Sequence, residues 1–350
     1  MKLLSKVRID SYIFIISSFI ESEAEPTMRG HIEDLLTRFE KRLPRALART
    51  ISLIEDRAEG YEEVMGRLYR MGCLGSYRVG ITGPPGAGKS TLVDKIALDR
   101  RFDDREIGIV AVDPSSPFTG GAILGDRVRM RDLAAHRNIF IRSMASRGSS
   151  GGLAEATKDV LVAFEAFGKQ LVFVETVGVG QVELDVVDAC DTVIVVMTPE
   201  SGDSIQALKS GIIEIADIFV VNKADRDGAE IFAMELQSIL DLKEGDASSW
   251  KTPIVPTTAT TGDGIDKLIA AIEAHRRFME DNGLFRRHRL GQIENKIRKI
   301  VDEKIRRSVD ERLFTGRDLT EFAEEILAGK TDPYSVAENE FPLTNLFGDI

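Results

Sequence analysis

Cysteine is nearly missing from this chain. Cys73 and Cys190 are the only two in 350 residues. They stand far apart and form no pairing pattern, which excludes a disulfide framework and fits a reducing, cytoplasmic setting. Histidine is also scarce. His31, His136, His275 and His288 show none of the spacing a metal site needs. Positive charge is in deficit, with 46 Lys and Arg against 57 Asp and Glu, a formal net charge of −11. Binding along a nucleic-acid backbone needs clustered cations, so nucleic acid is excluded as a partner. No apolar run reaches the ~20 residues of a membrane span. The nearest is SYIFIISSFI, Ser11 to Ile20, behind Lys2, Lys6 and Arg8 and ahead of Glu21, Glu23 and Glu25. It has the outline of a short signal peptide without a clean cleavage site. The favoured expectation is a native start at Met28, with 1–27 an upstream extension. A targeting peptide or an extra ordered element are the alternatives.

The strongest positive feature is the run Gly83, Pro84, Pro85, Gly86, Ala87, Gly88, Lys89 and Ser90, followed by Thr91. An apolar stretch, Tyr77 to Thr82, precedes it, and TLVDKIALD, which reads as a helix, follows. Strand, glycine turn and helix start are the context of a phosphate-binding loop. The glycines let backbone N–H groups approach a phosphate closely. Lys89 can reach the β- and γ-phosphates, Ser90 can ligate Mg²⁺, and the helix N-terminus favours an anion.

Residues 29–74 carry apolar positions at helical spacing, punctuated by Pro44. From 77 to about 275 the β-branched runs YRVGIT, IGIVAVD, LVFVET, TVIVVM, IFVVN and PIVP alternate with helical stretches. That order predicts an α/β fold: a mainly parallel sheet covered by helices on both faces, with helical extensions at each end of the chain. The expected organisation is 1–27 extension, 28–76 helical, 77–280 nucleotide-binding core, 281–330 helical arm and 331–350 tail. Residues 284 to 314 read as one long amphipathic helix. It either packs on its own domain or pairs with a second subunit, since its stripe needs a covering surface.

Asp113 and Glu175 end two of the predicted strands, and Asp126 follows a Gly- and Ser-rich loop. Alone, each is as good a helix cap as a ligand. Beside a phosphate loop the three suit Mg²⁺, which takes hard oxygen donors. Asn222, Lys223 and Asp225, in NKAD, follow the strand IFVV. The Asp225 carboxylate can accept from guanine N1–H and the exocyclic amine, donors that adenine does not offer as a pair. Asn222 can hold neighbouring backbone and contact the base, and the Lys223 stem can lie along the ring. The bland alternative is a turn with an exposed lysine. Thr258 and Ala259 sit where a backbone N–H could meet the guanine oxygen. Gly178 can offer its N–H to a γ-phosphate. The next residue, Val179, cannot orient water, so slow intrinsic hydrolysis is expected. Arg127, Arg129, Arg131 and Arg147 read as solvated charges rather than fingers on the phosphates.

Taken together, GITGPPGAGKSTLVD, AVDPSSPFTGGAILGDRVRM, RGSSGGLA, ETVGVGQVE and SGDSIQALKSGIIEIADIFVVNKAD resemble the MeaB/ArgK group, the methylmalonyl-CoA mutase-associated GTPases. The likeness runs from about Ile32 to about Lys330. It implies a homodimeric SIMIBI-class P-loop GTPase that uses GTP/GDP and Mg²⁺. It further implies a chaperone that gates cofactor loading of an adenosylcobalamin-dependent acyl-CoA mutase and protects it. By position, Lys89, Ser90, Asp113, Asp126 and Glu175 match the phosphate and Mg²⁺ residues, and Asn222, Lys223 and Asp225 the base readers. Residues 115–131, 176–188 and 199–211 match three switch loops. Arg127 replaces a lysine of some members, and the serines of RGSSGG replace a less polar residue. A nickel metallochaperone GTPase and a transport-protein kinase are the alternative functions.

Overall fold

The computed structural model describes residues 28–72, 75–113, 133, 135–145, 150–176, 188–200, 213–242, 249–311 and 319–341. Asp126 and Gly178 lie outside them, as do the extension 1–27 and most of the three switch segments. The contacts divide the chain into two compact units, Met1–Asn282 and Gly283–Ile350.

In the first unit, seven parallel strands form one sheet: β1 (Tyr77–Thr82), β2 (Ile107–Asp113), β3 (Ile139–Ala145), β4 (Leu171–Thr176), β5 (Thr192–Met197), β6 (Ile218–Asn222) and β7 (Ile254–Thr257). Their spatial order is β3-β2-β4-β1-β5-β6-β7. The chain leaves central β1 toward one edge and later returns across it toward the other. Ligands of open α/β sheets bind at such a divergence, beyond the carboxyl ends of the strands. Strand β3 is an addition to the six expected strands. Its sequence, IFIRSMA, is interrupted by Arg142, whose guanidinium donates to Glu55 and to Ser52 Oγ at 3.1 Å. An edge strand paired to a helix through an arginine does not read as a continuous apolar run.

Three helices precede the sheet: α1 (Met28–Glu40), α2 (Pro44–Glu55) and α3 (Tyr61–Met71). Pro44 begins α2, where its missing N–H costs nothing. Leu36, Phe39, Leu47, Ile51, Ile54 and Leu68 join one cluster with α5 (Ser150–Ala166) and with Val110, Val172 and Val174 of the sheet. Phe39 meets Phe167 edge-on, with centroids 5.1 Å apart. Each such side chain contributes about 1.5–3 kcal/mol when fully buried. Ile109 and Phe173, which alternate with these valines and so point to the opposite face, are also buried. Helices therefore cover both faces, as the continuous apolar strands require. Besides the single turns Arg100–Phe102 and Ile213–Ile215, the described residues of this unit also form α4 (Lys89–Ala97), which begins at the phosphate loop, α6 (Ala229–Asp241) and α7 (Ile265–Asp281).

The second unit begins with α8 (Leu284–Val309), set off from α7 by Gly283 at φ 67°. Ile297, Ile300, Val301 and Ile305 lie exposed along it. Among the described residues no helix is long and apolar enough to cross a membrane.

Candidate functional site

The loop from Gly83 to Gly88 joins β1 to α4, and three of its glycines have positive φ: Gly83 at 144°, Gly86 at 75° and Gly88 at 91°. Two are required by close approach as well. A Cβ on Gly83 would lie 2.1 Å from the Val196 carbonyl oxygen of neighbouring β5. A Cβ on Gly88 would lie 2.3 Å from Asn222 Nδ2. The second distance ties the phosphate loop to the motif after β6, 134 residues later in the chain.

Lys89 opens α4 and is buried. Its ammonium folds back over the loop and donates to Gly83 O at 2.7 Å and Pro84 O at 3.0 Å. These carbonyls hold a charge whose burial is costly without partners. Beside it, Ser90 Oγ donates to Glu175 Oε1 at 2.5 Å. Glu175 lies opposite Ile81 of β1 and Ala111 of β2 in the sheet register. Asp113, two residues beyond Ala111, therefore ends at the same edge of the sheet. A hydroxyl and buried carboxylate already in contact, beside a lysine and a helix N-terminus, form a hard-oxygen donor set that fits Mg²⁺. Among the described residues no cluster of three His, Cys, Asp or Glu exists that could bind a metal unaided.

The second half of the site is built around Asn222, which is buried at the end of β6. Its Nδ2 donates to Ala87 O at 2.7 Å. Its Oδ1 accepts from Thr257 Oγ1 at 3.1 Å and from the Ala259 N–H at 3.1 Å. One amide thus braces the phosphate loop, the end of β7 and the loop after it. Thr257 pairs with Asn222 in the β6–β7 register, a partnership that no local motif announces. The Thr258 N–H donates to Asp263 O at 2.9 Å, so the N–H groups of both Thr258 and Ala259 are engaged inside the protein. Lys223 takes left-handed backbone at φ 58°. Asp225 stands exposed three residues past Asn222.

A glycine loop of phosphate-binding sequence after the central strand and an Asn-Lys-x-Asp turn at the end of β6 are thus locked together by one amide. A family model described as "Methylmalonyl Co-A mutase-associated GTPase MeaB" matches residues 47–313. The chain belongs to the MeaB family. Members of this family are GTPases, and this chain is a GTPase that hydrolyses GTP to GDP and phosphate. A relative from Pyrococcus abyssi (strain GE5 / Orsay) is 45% identical over 309 residues, 88% of this chain and 95% of its own length. The GTPase ArgK of Escherichia coli (strain K12) is 32% identical over 287 residues, 80% of this chain and 86% of its own. Among solved structures, a LAO/AO transport system kinase superposes with a TM-score of 0.65 at 25% identity, covering 87% of this chain and 94% of that one.

Proposed function

We propose that this GTPase is a nucleotide-gated chaperone for an adenosylcobalamin-dependent acyl-CoA mutase, methylmalonyl-CoA mutase first among them. The family description supports the association. The observation that carries the chemistry is the Asn222 brace, which makes base recognition and the phosphate loop one mechanical unit. Lys89 leaves the Gly83 and Pro84 carbonyls for the β- and γ-phosphates, and the N–H groups at the start of α4 cradle the β-phosphate. Ser90 and Glu175, with Asp113 and Asp126, hold Mg²⁺ directly or through water. Held by these oxygens, Mg²⁺ would supply neutralisation of the charge that develops on the phosphates. Gly178 offers its N–H to the γ-phosphate. Asp225 accepts from the guanine edge, the Lys223 stem covers the ring, and Ala259 shares its N–H between Asn222 and the guanine oxygen. Loss of the γ-phosphate releases the loops it held, and the mutase responds to that difference. A homodimer formed through α8 covers the stripe of Ile297, Ile300, Val301 and Ile305. The setting is cytoplasmic.

Turnover of GTP and ATP should be measured with and without purified methylmalonyl-CoA mutase. The expected result is slow hydrolysis of GTP only, accelerated by the mutase, with complex formation that differs between GTP-analogue and GDP states. The structural neighbour is named as a transport system kinase, which gives a second reading. Preferential use of ATP together with phosphate transfer to a protein acceptor would establish it and remove the chaperone assignment.

A further inference from the structure

Glu200 is the second residue of the 199–211 segment, outside both the phosphate loop and the Asn-Lys-x-Asp motif, yet its carboxylate lies against the Asn-Lys-x-Asp turn. Strands β5 and β6 are neighbours with Met197 opposite Val221, so the chain leaving β5 runs beside the chain leaving β6. Three residues past Met197, Glu200 Oε2 lies 3.8 Å from Lys223 Nζ, and its Oε1 contacts Arg226 Nη1. The backbone of Lys223 is fixed independently. Its left-handed φ of 58°, costly for a residue with a Cβ, is held by two bonds. Ala224 N–H donates to Thr257 O at 3.0 Å, and Arg226 N–H donates to Lys223 O at 3.0 Å. The methylene stem between these anchors is therefore held at both ends.

We propose that Glu200 is a positioning residue for the purine: by bridging Lys223 and Arg226 it pre-sets the Lys223 stem against the face of the bound base. This rests on the reading of residues 222–225 as the base-binding motif. Exposed ion pairs contribute little to folding, so the effect belongs in nucleotide affinity, where holding a long side chain in its bound position reduces the ordering needed on binding. The sign is diagnostic. Removing a negative charge near a polyanion would by itself tighten binding, whereas loss of positioning weakens it.

The test compares wild type, Glu200→Ala and Glu200→Gln for binding of GDP and IDP, with GTP steady-state kinetics beside them. Glu200→Ala is expected to weaken GDP and IDP alike, by roughly 3- to 10-fold. The KM for GTP should rise in proportion while kcat and the thermal midpoint hold. Glu200→Gln should fall between. In a Lys223→Ala background the Glu200 substitution should add nothing. Unchanged or tighter GDP binding by Glu200→Ala overturns the proposal. So does a loss that persists undiminished without Lys223. Failure of the wild-type protein to bind guanine nucleotide at all is a different result, and it removes the base-binding reading along with this one.

Discussion

At the carboxyl edge of the sheet, Lys89 donates to the Gly83 and Pro84 carbonyls, Ser90 to Glu175 and Asn222 to the Ala87 carbonyl, and a ligand can take over the first two of these arrangements. At the amino edge of the same strands, polar groups are buried just as deeply but form a closed circuit. Tyr77 OH and Thr192 Oγ1 are 2.5 Å apart, Thr192 Oγ1 meets His275 Nδ1 at 2.8 Å, and His275 Nε2 lies 3.4 Å from Asp217 Oδ1. Burial drives the Asp217 carboxyl up to about 7 and the His275 imidazole down to about 4. Both favour a neutral pair. Nearby, Arg78 and Glu165 form a buried ion pair at 2.7 Å, with side chains 5% and 1% exposed. The lesson is in the backbone. The carboxyl edge is made of glycine turns and exposed loops that can exchange partners, while α7 seals the amino edge with His275.

Exchanging charges at each edge in turn should separate these roles. Lys89→Ala is expected to lower GTP turnover by about 10²- to 10³-fold, read by phosphate release, with little change in the urea midpoint. Glu165→Gln should do the reverse. It leaves Arg78 buried without its countercharge and should cost about 3 kcal/mol of stability, with turnover per folded molecule intact. An equal loss of turnover there would erase the distinction between the edges. Asp225→Asn replaces an acceptor with an amide that can also donate. It should shift preference from guanine to xanthine nucleotides by about 10²-fold in relative affinity, measured by competition.

In the wild type the smallest effect is the net pH dependence of the closed circuit, although each half of it alone is large. Asp217, with its folded pKa raised above 3.8, holds a proton that the unfolded chain has released. Its contribution is present below pH 4 and is lost as pH rises toward 7. His275, with its folded pKa lowered below 6.5, works the other way. Stability is lost as pH falls from 6.5 to 4. The two slopes oppose each other and nearly cancel in the wild type. Asp217→Asn should gain stability relative to wild type as pH rises through that window, by up to about 1.4 kcal/mol per unit. His275→Asn should gain as pH falls. Parallel urea midpoints across pH 4–8 for all three proteins would refute the neutral-pair assignment.

The phosphate loop was legible because its residues are contiguous and each has a local reason. Gly83 needs room for Val196 O, and Lys89 must open a helix. The parallel sheet was legible from strands apolar on both faces. Strand β3 was not, because Arg142 breaks the run and finds its partner on α2. The brace between Asn222 and Ala87 joins segments 135 residues apart, and only the adjacency of β1, β5 and β6 brings them together. Glu200 lies in the 199–211 segment that the resemblance marks as a switch loop, but nothing local ties it to Lys223 and Arg226; only the pairing of β5 with β6 brings them together.

By itself the sequence determined which residue types stand where: a glycine-rich turn between a strand and a helix, a lysine and a serine at the helix start, and carboxylates and an Asn-Lys-x-Asp run at strand ends. Those properties belong to single residues and short spacings, which local backbone rules decide. Tertiary structure alone decided which of these groups share an edge of the sheet, and what each bonds to while it waits. Strand order, unlike strand identity, depends on how the chain crosses over itself, and no local interaction encodes that.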